Sequence, residues 1–177
     1  MEKKSNIILI GFMGTGKTAV GKRLANILHM DFYDTDQEIE KVTGMTMNRL
    51  YQKYGEIRFR SEEELMLQKL VKKENAIIAT GGGMVLDQEI IDKLRQHGIL
   101  ICLTANPDII YERVKRRNNR PLLKKGNLYE NIVKLLQERD NFYKYADFTI
   151  DTSNLDFEQI INEILKFLNE YTGKEEN

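Results

Sequence analysis

The chain has 177 residues with 27 basic and 27 acidic side chains, so its formal net charge is zero and nothing global draws it to nucleic acid or to a membrane surface. A hydrophobic content of 41% is enough for a sizeable core, and the single cysteine excludes an intramolecular disulfide. The first apolar run is too short for a signal peptide and no later run approaches a membrane span, so we expect a cytoplasmic protein.

Short apolar runs alternate with longer helical patterns along the chain. The predicted strands are residues 6–10, 31–34, 76–80, 98–103 and 148–151. The predicted helices are residues 16–29, 36–42, 46–54, 57–73, 88–97, 107–117, 128–145 and 155–170. Strands that are apolar throughout favour a parallel sheet covered on both faces, and their alternation with helices indicates βαβ units with right-handed crossovers. The pattern therefore predicts an α/β fold.

The first predicted strand runs into a glycine-rich loop, "GFMGTGKT", at residues 11–18. This segment fits G-x-x-x-x-G-K-[ST], in which backbone N–H groups and the positive end of the next helix surround phosphate oxygens. Lys17 would reach the β- and γ-phosphates, and Thr18 would offer its hydroxyl to Mg²⁺. The loop predicts nucleotide binding but does not by itself separate a kinase from an ATPase or a GTPase. A GTPase would usually carry Asn-Lys-x-Asp, which the sequence lacks.

The second and third predicted strands end in residues suited to a ligand site. Asp34 and Asp36 are two apart, and in an extended segment both would point to the same side, at the strand ends where this fold class binds ligands. One could help to hold Mg²⁺ while the other orients an acceptor hydroxyl and takes its proton. The spacing leaves open that Asp36 is only a helix cap and Asp34 a polar strand end. Gly81, Gly82 and Gly83 would let a ligand lie against bare backbone, and a flexible turn is the alternative.

Arg60 and Arg139 lie in two separate helical patterns, and other arginines lie in a basic stretch between them. By pattern alone, Arg60 belongs to a solvated helix face with an i,i+4 partner in Glu64, and Arg139 is a surface residue. Residues 113–125 contain seven basic side chains and no acid. That stretch lacks the interleaved aromatic residues of a nucleic-acid patch and is more typical of a lid that closes over phosphates. Arg120, next to a proline, is the best candidate to meet them.

In chain order, the sequence carries the phosphate loop, "DTD", "FRSEE", "TGGG", "RPLL" and "ERDNFYKYA". Each motif is weak or moderate alone, but the ordered set resembles shikimate kinase over about residues 5–170. The resemblance implies a P-loop kinase fold: a three-layer α/β sandwich in which helices flank a five-stranded parallel sheet. It also implies one domain over residues 1–177, with a substrate-binding helical segment at about 34–63 and a lid at about 113–126.

The implied activity is transfer of the γ-phosphate of ATP to the 3-hydroxyl of shikimate, in aromatic amino-acid biosynthesis. The resemblance implies a monomer whose partner is a small molecule, with ATP and Mg²⁺ as cofactors. The phosphates would be held by Gly14, Thr15, Gly16, Lys17, Thr18 and Ala19. Thr18 would bind Mg²⁺ with assistance from Asp34. Arg113 would stack on adenine, beside the segment that ends at Asn154, and Arg120 would meet the phosphates.

The acceptor site implied by the resemblance consists of Asp36, Arg60, Glu63, Gly81, Gly82, Gly83 and Arg139. Asp36 would engage the acceptor hydroxyl as base or orienter, so the catalytic residues would be Lys17, Asp36 and Arg120. Arg60 and Arg139 would hold the substrate carboxylate, which suits the guanidinium fork. Glu63 would brace Arg60, although the neighbouring Glu62 and Glu64 are alternatives. Gly82 would be the principal backbone donor.

Other classes of protein fit the sequence less well. A gluconate kinase would also need a carboxylate clamp, but "DTD" with "FRSEE" argues against it. A nucleoside monophosphate kinase would carry an Asp-Gly-Phe-Pro-Arg-like strand end where "TGGG" stands. A catalytically dead relative should have lost Lys17, Asp36 or a clamp arginine, and all are present. A nucleic-acid-dependent ATPase conflicts with the zero net charge.

Overall fold

The computed structural model describes residues 6–84, 87–116 and 126–175, with side chains described as far as residue 172. Five parallel strands form one sheet in the order β2-β3-β1-β4-β5. They are β1 (Asn6–Ile10), β2 (Asp31–Asp34), β3 (Ala76–Ala79), β4 (Gly98–Thr104) and β5 (Phe148–Asp151). The predicted parallel sheet is confirmed, and the strand bounds differ from those predicted by no more than one residue.

Seven helices connect and flank these strands over the described residues. They are α1 (Lys17–Leu28), α2 (Thr35–Thr43), α3 (Met47–Leu70), α4 (Gln88–His97), α5 (Pro107–Val114), α6 (Leu128–Tyr143) and α7 (Phe157–Glu175). Side-chain oxygens of Asp34, Thr46, Asp87 and Asn127 accept backbone N–H groups at the starts of α2, α3, α4 and α6. None of the helices in this part of the chain is long and apolar enough to cross a membrane.

The two helices predicted at 46–54 and 57–73 are the two halves of α3. They meet at Gly55, whose φ of 78° and ψ of −178° are not helical. This backbone conformation is open essentially to glycine alone, because a Cβ would clash with the neighbouring backbone. The break redirects the second half of α3, which carries Arg60 and Glu63.

The core lies on both faces of the sheet, as expected for parallel strands with alternating side chains. On one face, Ile8 and Ile78 pack against residues of α2, α3 and α4, including Leu67. On the other face, apolar residues of the strands pack against α1 and α7. A third cluster lies beneath the phosphate loop and consists of Phe12, Met13, Ile110, Val114 and Ile132. It joins the loop to α5 and α6.

Because all five strands are parallel, their carboxyl ends lie along one edge of the sheet. β1 is central and continues into the phosphate loop, while β2 ends at Asp34 and β3 runs into Gly81. The phosphate loop, the two aspartates and the glycine triplet therefore meet at this edge, where open α/β sheets bind their ligands.

Candidate active site

A cavity of about 630 Å³ opens above the phosphate loop. Its lining includes the loop from Met13 to Val20, together with Asp34, Asp36, Gly82 and Arg113. This size and mixed lining suit a small-molecule site. The ammonium of Lys17 donates hydrogen bonds to the carbonyls of Gly11, at 2.7 Å, and Phe12, at 2.9 Å. The Lys17 ammonium is thus bonded to the backbone of its own loop, at the floor of the cavity.

Asp34 links the phosphate loop to α2. One carboxylate oxygen accepts a hydrogen bond from the Thr18 hydroxyl at 2.7 Å, and the other accepts the backbone N–H groups of Asp36 and Gln37. Asp34 is therefore the cap of α2, and the alternative that Asp36 is the cap is wrong. The expectation that both aspartates lie in one extended segment is also wrong, because α2 already begins at Thr35. Both nevertheless line the same cavity.

Thr18 and Asp34 fit Mg²⁺ by their chemistry, since a hydroxyl and a carboxylate are the hard oxygen ligands this ion prefers. Over the described ranges there is no cluster of three or more His, Cys, Asp or Glu side chains that could hold a metal. A site with so few protein ligands suits an ion that shares its coordination with phosphates and water.

The glycine triplet lets two other parts of the site come close to the backbone. A Cβ on Gly81 would lie 2.5 Å from Oδ1 of Asp36, and a Cβ on Gly82 would lie 2.5 Å from Cα of Met13 in the phosphate loop. The N–H of Gly81 donates to the hydroxyl of the fully buried Thr35. The triplet is thus a packing surface that sets Asp36 and the phosphate loop side by side.

The two arginines of the expected clamp converge on this triplet. Arg60 donates to the carbonyl of Gly83 at 2.6 Å, and Arg139 donates to the same carbonyl at 3.1 Å. Arg139 also donates to the carbonyl of Gly82 at 2.5 Å. Two guanidinium groups therefore share one acceptor, although their positions are far apart in sequence. The pattern-based expectation that Arg139 is a surface residue is wrong, since its partners are in the glycine triplet.

Arg60 pairs closely with Glu63 and more distantly, at 3.6 Å, with the exposed Glu56, but not with Glu64. The Glu63 carboxylate lies 2.7 Å from Nη1 of Arg60, whereas Glu64 accepts a hydrogen bond from Gln68. The i,i+4 pair expected from pattern alone is therefore wrong, and of the three neighbouring acids it is Glu63 that braces Arg60. Glu62 pairs with the exposed Arg58.

Burial raises the pKa of Glu63 from its usual 4.5 to about 7, because the charged form loses its hydration. The positive charge and hydrogen bond of Arg60 act in the opposite direction, and the carboxylate of Asp36 adds to the increase. Glu63 is only 3% exposed, so little water reaches it to offset these effects.

We expect Glu63→Gln to remove a pH dependence of stability. Between the unfolded pKa near 4.5 and the folded pKa near 7, the folded protein binds more protons than the unfolded chain. Its free energy of unfolding should therefore fall as pH rises through this interval, by at most about 3 kcal/mol from this group. Urea unfolding of both proteins at about pH 5 and about pH 8 measures the effect. Parallel pH profiles for the two proteins would contradict it.

Arg113 and the segment after β5 form the far end of the cavity. Arg113 donates to the carbonyl of Gly14 at 3.1 Å and to both the hydroxyl and the carbonyl of the buried Thr152. Leu155, Phe157 and Ile160 also line the cavity, whereas Asn154 is outside the lining. The position of the adenine beside this segment stays a prediction. Sequence reasoning missed the apolar residues of the lining, which only their position after a strand end could have indicated.

Arg120 and most of the expected lid, residues 117–125, lie outside the described residues. Sequence reasoning also missed Phe12, which occupies a variable position of the loop motif. The guanidinium carbon of Arg139 lies 5.3 Å from the centroid of the Phe12 ring. No local sequence signal predicts that contact, because it joins two distant segments.

Comparison with known proteins identifies relatives across nearly the whole chain. A family model described as shikimate kinase matches residues 13–169. A shikimate kinase from Pelotomaculum thermopropionicum is 54% identical over 94% of this chain and 96% of its own length. One from Desulforudis audaxviator is 49% identical, over 93% and 87%. Among solved structures, a shikimate kinase from Acinetobacter baumannii in complex with shikimate matches with a TM-score of 0.90 and 36% identity, over 96% of each chain.

Proposed function

Because the chain belongs to the shikimate kinase family, we infer that it transfers the γ-phosphoryl group of ATP to the 3-hydroxyl of shikimate. The product is shikimate 3-phosphate, for aromatic amino-acid biosynthesis. The observation that carries this inference is the pair of guanidinium groups on the Gly83 carbonyl. The preceding two glycines join this pair to the rest of the site, since Asp36 lies against Gly81 and Gly82 lines the phosphate cavity. A carboxylate-bearing polyol held there would present a hydroxyl towards the nucleotide.

Several groups in the cavity have distinct roles in the transfer. Lys17 and the loop N–H groups bind the phosphates, and Arg113 with Leu155 and Phe157 encloses the adenine. Thr18 and Asp34 would hold Mg²⁺, which would supply positive charge to neutralise the phosphate oxygens. Asp36 orients the acceptor hydroxyl and takes its proton as the oxygen bonds to the γ-phosphorus. The bond from this phosphorus to the bridging oxygen breaks, and ADP leaves.

Arg60 and Arg139 bind the acceptor carboxylate, since a guanidinium fork matches a carboxylate in geometry and charge. Glu63 fixes Arg60 through their 2.7 Å contact. Alignment of the reactants is the main requirement, because phosphoryl transfer needs little covalent help from the protein. A lid at about residues 113–126 excludes water as a competing acceptor, and Arg120 adds positive charge near the phosphates.

The same residues support the remaining features of the proposal. Phosphate loop, aspartates and both clamp arginines come from one chain, so a monomer suffices for the site. The substrate-binding segment spans about residues 34–63, within a single domain. The zero net charge offers no attraction for nucleic acid or anionic membranes, which accords with a cytoplasmic enzyme of small-molecule metabolism.

An ADP-release assay with Mg-ATP and four conditions tests the proposed function. Shikimate, gluconate, AMP and no acceptor are compared at equal enzyme concentration. We expect ADP release only with shikimate. Equal release without acceptor would indicate an ATPase, and release with gluconate or AMP would reassign the acceptor. No release under any condition, from protein that still binds ATP, would indicate a binding module.

Arg60→Ala is expected to raise KM for shikimate about tenfold or more, the usual loss for a hydrogen bond to a charged group, with a smaller change in KM for ATP. Arg58→Ala is the matched control, because Arg58 lies on the same helix, is mostly exposed and pairs only with Glu62 among the contacts described. Initial-rate measurements with each substrate varied separate the two constants. An unchanged KM for shikimate in Arg60→Ala would leave Arg60 as a structural residue.

A further inference from the structure

Phe12, at a variable position of the phosphate-loop motif, has a buried side chain that contacts Arg139. Its side chain is 1% exposed and packs in the cluster formed with Ile110, Val114 and Ile132. The guanidinium of Arg139 lies over its ring, 5.3 Å from the centroid. That distance is within the range of a cation–π interaction, which is stronger when it is shielded from water. The Phe12 ring therefore stabilises the position of the guanidinium, and packing against α5 and α6 fixes the ring itself.

The backbone of the same residue is bonded to the nucleotide side of the site. The carbonyl of Phe12 accepts hydrogen bonds from the Lys17 ammonium, at 2.9 Å, and from the Thr15 hydroxyl, at 2.8 Å. Phe12 is thus in contact with the phosphate-binding lysine through its carbonyl and with Arg139 through its ring.

A second connection runs parallel to the first. The backbone of Met13 abuts Gly82 so closely that a Cβ on this glycine would lie 2.5 Å from the Met13 Cα. The carbonyl of Gly82 accepts a hydrogen bond from Arg139 at 2.5 Å. Arg139 therefore contacts both the Phe12 ring and the Gly82 carbonyl. The first belongs to the phosphate loop and the second packs against it. A shift of this loop must move Arg139 or break one of these contacts.

We propose that Phe12 is a positioning residue for the acceptor substrate. Through Phe12, the position of the Arg139 guanidinium depends on the position of the phosphate loop. The proposal rests on the proposed function, in which Arg139 binds the acceptor carboxylate. A nucleotide that draws Lys17 towards its phosphates changes the hydrogen bonding of the Phe12 carbonyl, and the ring carries this change to the guanidinium. Nucleotide and acceptor then bind with coupled affinities, and the coupling is reciprocal by linkage.

Phe12→Leu and Phe12→Tyr distinguish the ring face from apolar volume. Leucine keeps the packing but has no π-face, whereas tyrosine keeps the face and adds a hydroxyl to a side chain that lines a cavity of about 390 Å³. In Phe12→Leu we expect KM for shikimate to rise about fivefold, the scale of one partly buried cation–π contact, with smaller changes in kcat and KM for ATP. Phe12→Tyr should restore KM to near the wild-type value.

Coupling is measured as the ratio of the shikimate dissociation constants without and with MgADP. We expect this ratio to move towards one in Phe12→Leu and to keep its wild-type value in Phe12→Tyr. Ile132→Val is the control for packing, because Ile132 is fully buried in the same cluster. A loss in Ile132→Val equal to that in Phe12→Leu would overturn the proposal in favour of loose packing.

A double-mutant cycle gives an independent decision if the tyrosine variant is poorly folded. In an Arg139→Gln background, position 139 has no positive charge to lie over the ring. Phe12→Leu should then change KM for shikimate by less than about twofold. A full fivefold effect in that background would overturn the proposal, as would an unchanged KM in the single variant. The wild type tests the proposed function separately: if its ADP release does not depend on shikimate, both proposals fail, whereas a negative result confined to the Phe12 variants overturns the coupling alone.

Discussion

Asp36→Asn is expected to lower kcat by at least about 10²-fold, the usual contribution of a positioned general base. Asparagine keeps the size and hydrogen-bonding reach of the side chain but cannot accept the hydroxyl proton. The Asp36 carboxylate lies over Gly81, on the wall of the cavity above the phosphate loop. ATP affinity should stay near the wild-type value, because the loop and Asp34 are unchanged. Turnover at saturating shikimate and titration with a non-hydrolysable ATP analogue measure the two quantities.

Asp92→Asn, on the exposed face of α4, is the matched control for loss of one negative charge. It should leave both turnover and nucleotide affinity unchanged. Near-normal turnover in Asp36→Asn would remove Asp36 from the chemical step. A loss of ATP affinity as large as the loss of turnover would instead indicate that Asp36 holds the phosphate loop in place.

Gly82→Ala should be a strongly damaging single-methyl change at the site. The new Cβ would lie within 2.7 Å of Cα, N and Cβ of Met13, so the phosphate loop or the glycine triplet must move. Displacement of catalytic groups by about 1 Å can cost about 10²-fold in rate. We therefore expect kcat/KM to fall by at least about 10²-fold for both substrates, with weaker ATP binding and a lower melting temperature.

Gly81→Ala is the matched comparison, because its Cβ would meet a side chain rather than backbone. Its nearest neighbour is Oδ1 of Asp36 at 2.5 Å, so the carboxylate must turn away. We expect kcat to fall about 10²-fold through misplacement of the base, with ATP affinity close to wild type. Equal effects of the two alanines on ATP binding would show that the triplet acts as one rigid unit.

The sequence was sufficient for features set by local patterns. Strand-length segments containing apolar or aromatic residues located all five strands, and the phosphate loop was recognisable from spacing alone, because both depend on neighbours along the chain. Asp34 and Asp36 were expected on one extended segment, which failed because the side chain of Asp34 starts a helix one residue later. When Asp34 caps a helix, the strand cannot continue past it. The local sequence is compatible with either outcome.

Contacts between distant segments were beyond the reach of pattern reasoning. Arg60 by periodicity belongs to a solvated face, yet it bonds to a carbonyl 23 residues further on. Arg139 looked like a surface residue, but its partners lie 56 and 57 residues earlier in the chain. Only the resemblance to a family indicated these two positions, since no local property of a helix reveals what the rest of the chain brings to it.

The backbone conformation at Gly55 favours a D-residue over an L-residue. Its φ of 78° and ψ of −178° mirror the extended conformation of an ordinary L-residue, so a D-residue would occupy this point of α3 without strain. Apart from the adjoining residues and the backbone of the helix itself, no heavy atom lies within 4 Å of the Cβ that an L-residue would place here. The side is open, yet every other genetically encoded residue is disfavoured by chirality alone. A chemically synthesised chain with D-alanine at this position should keep the bend that L-alanine would oppose.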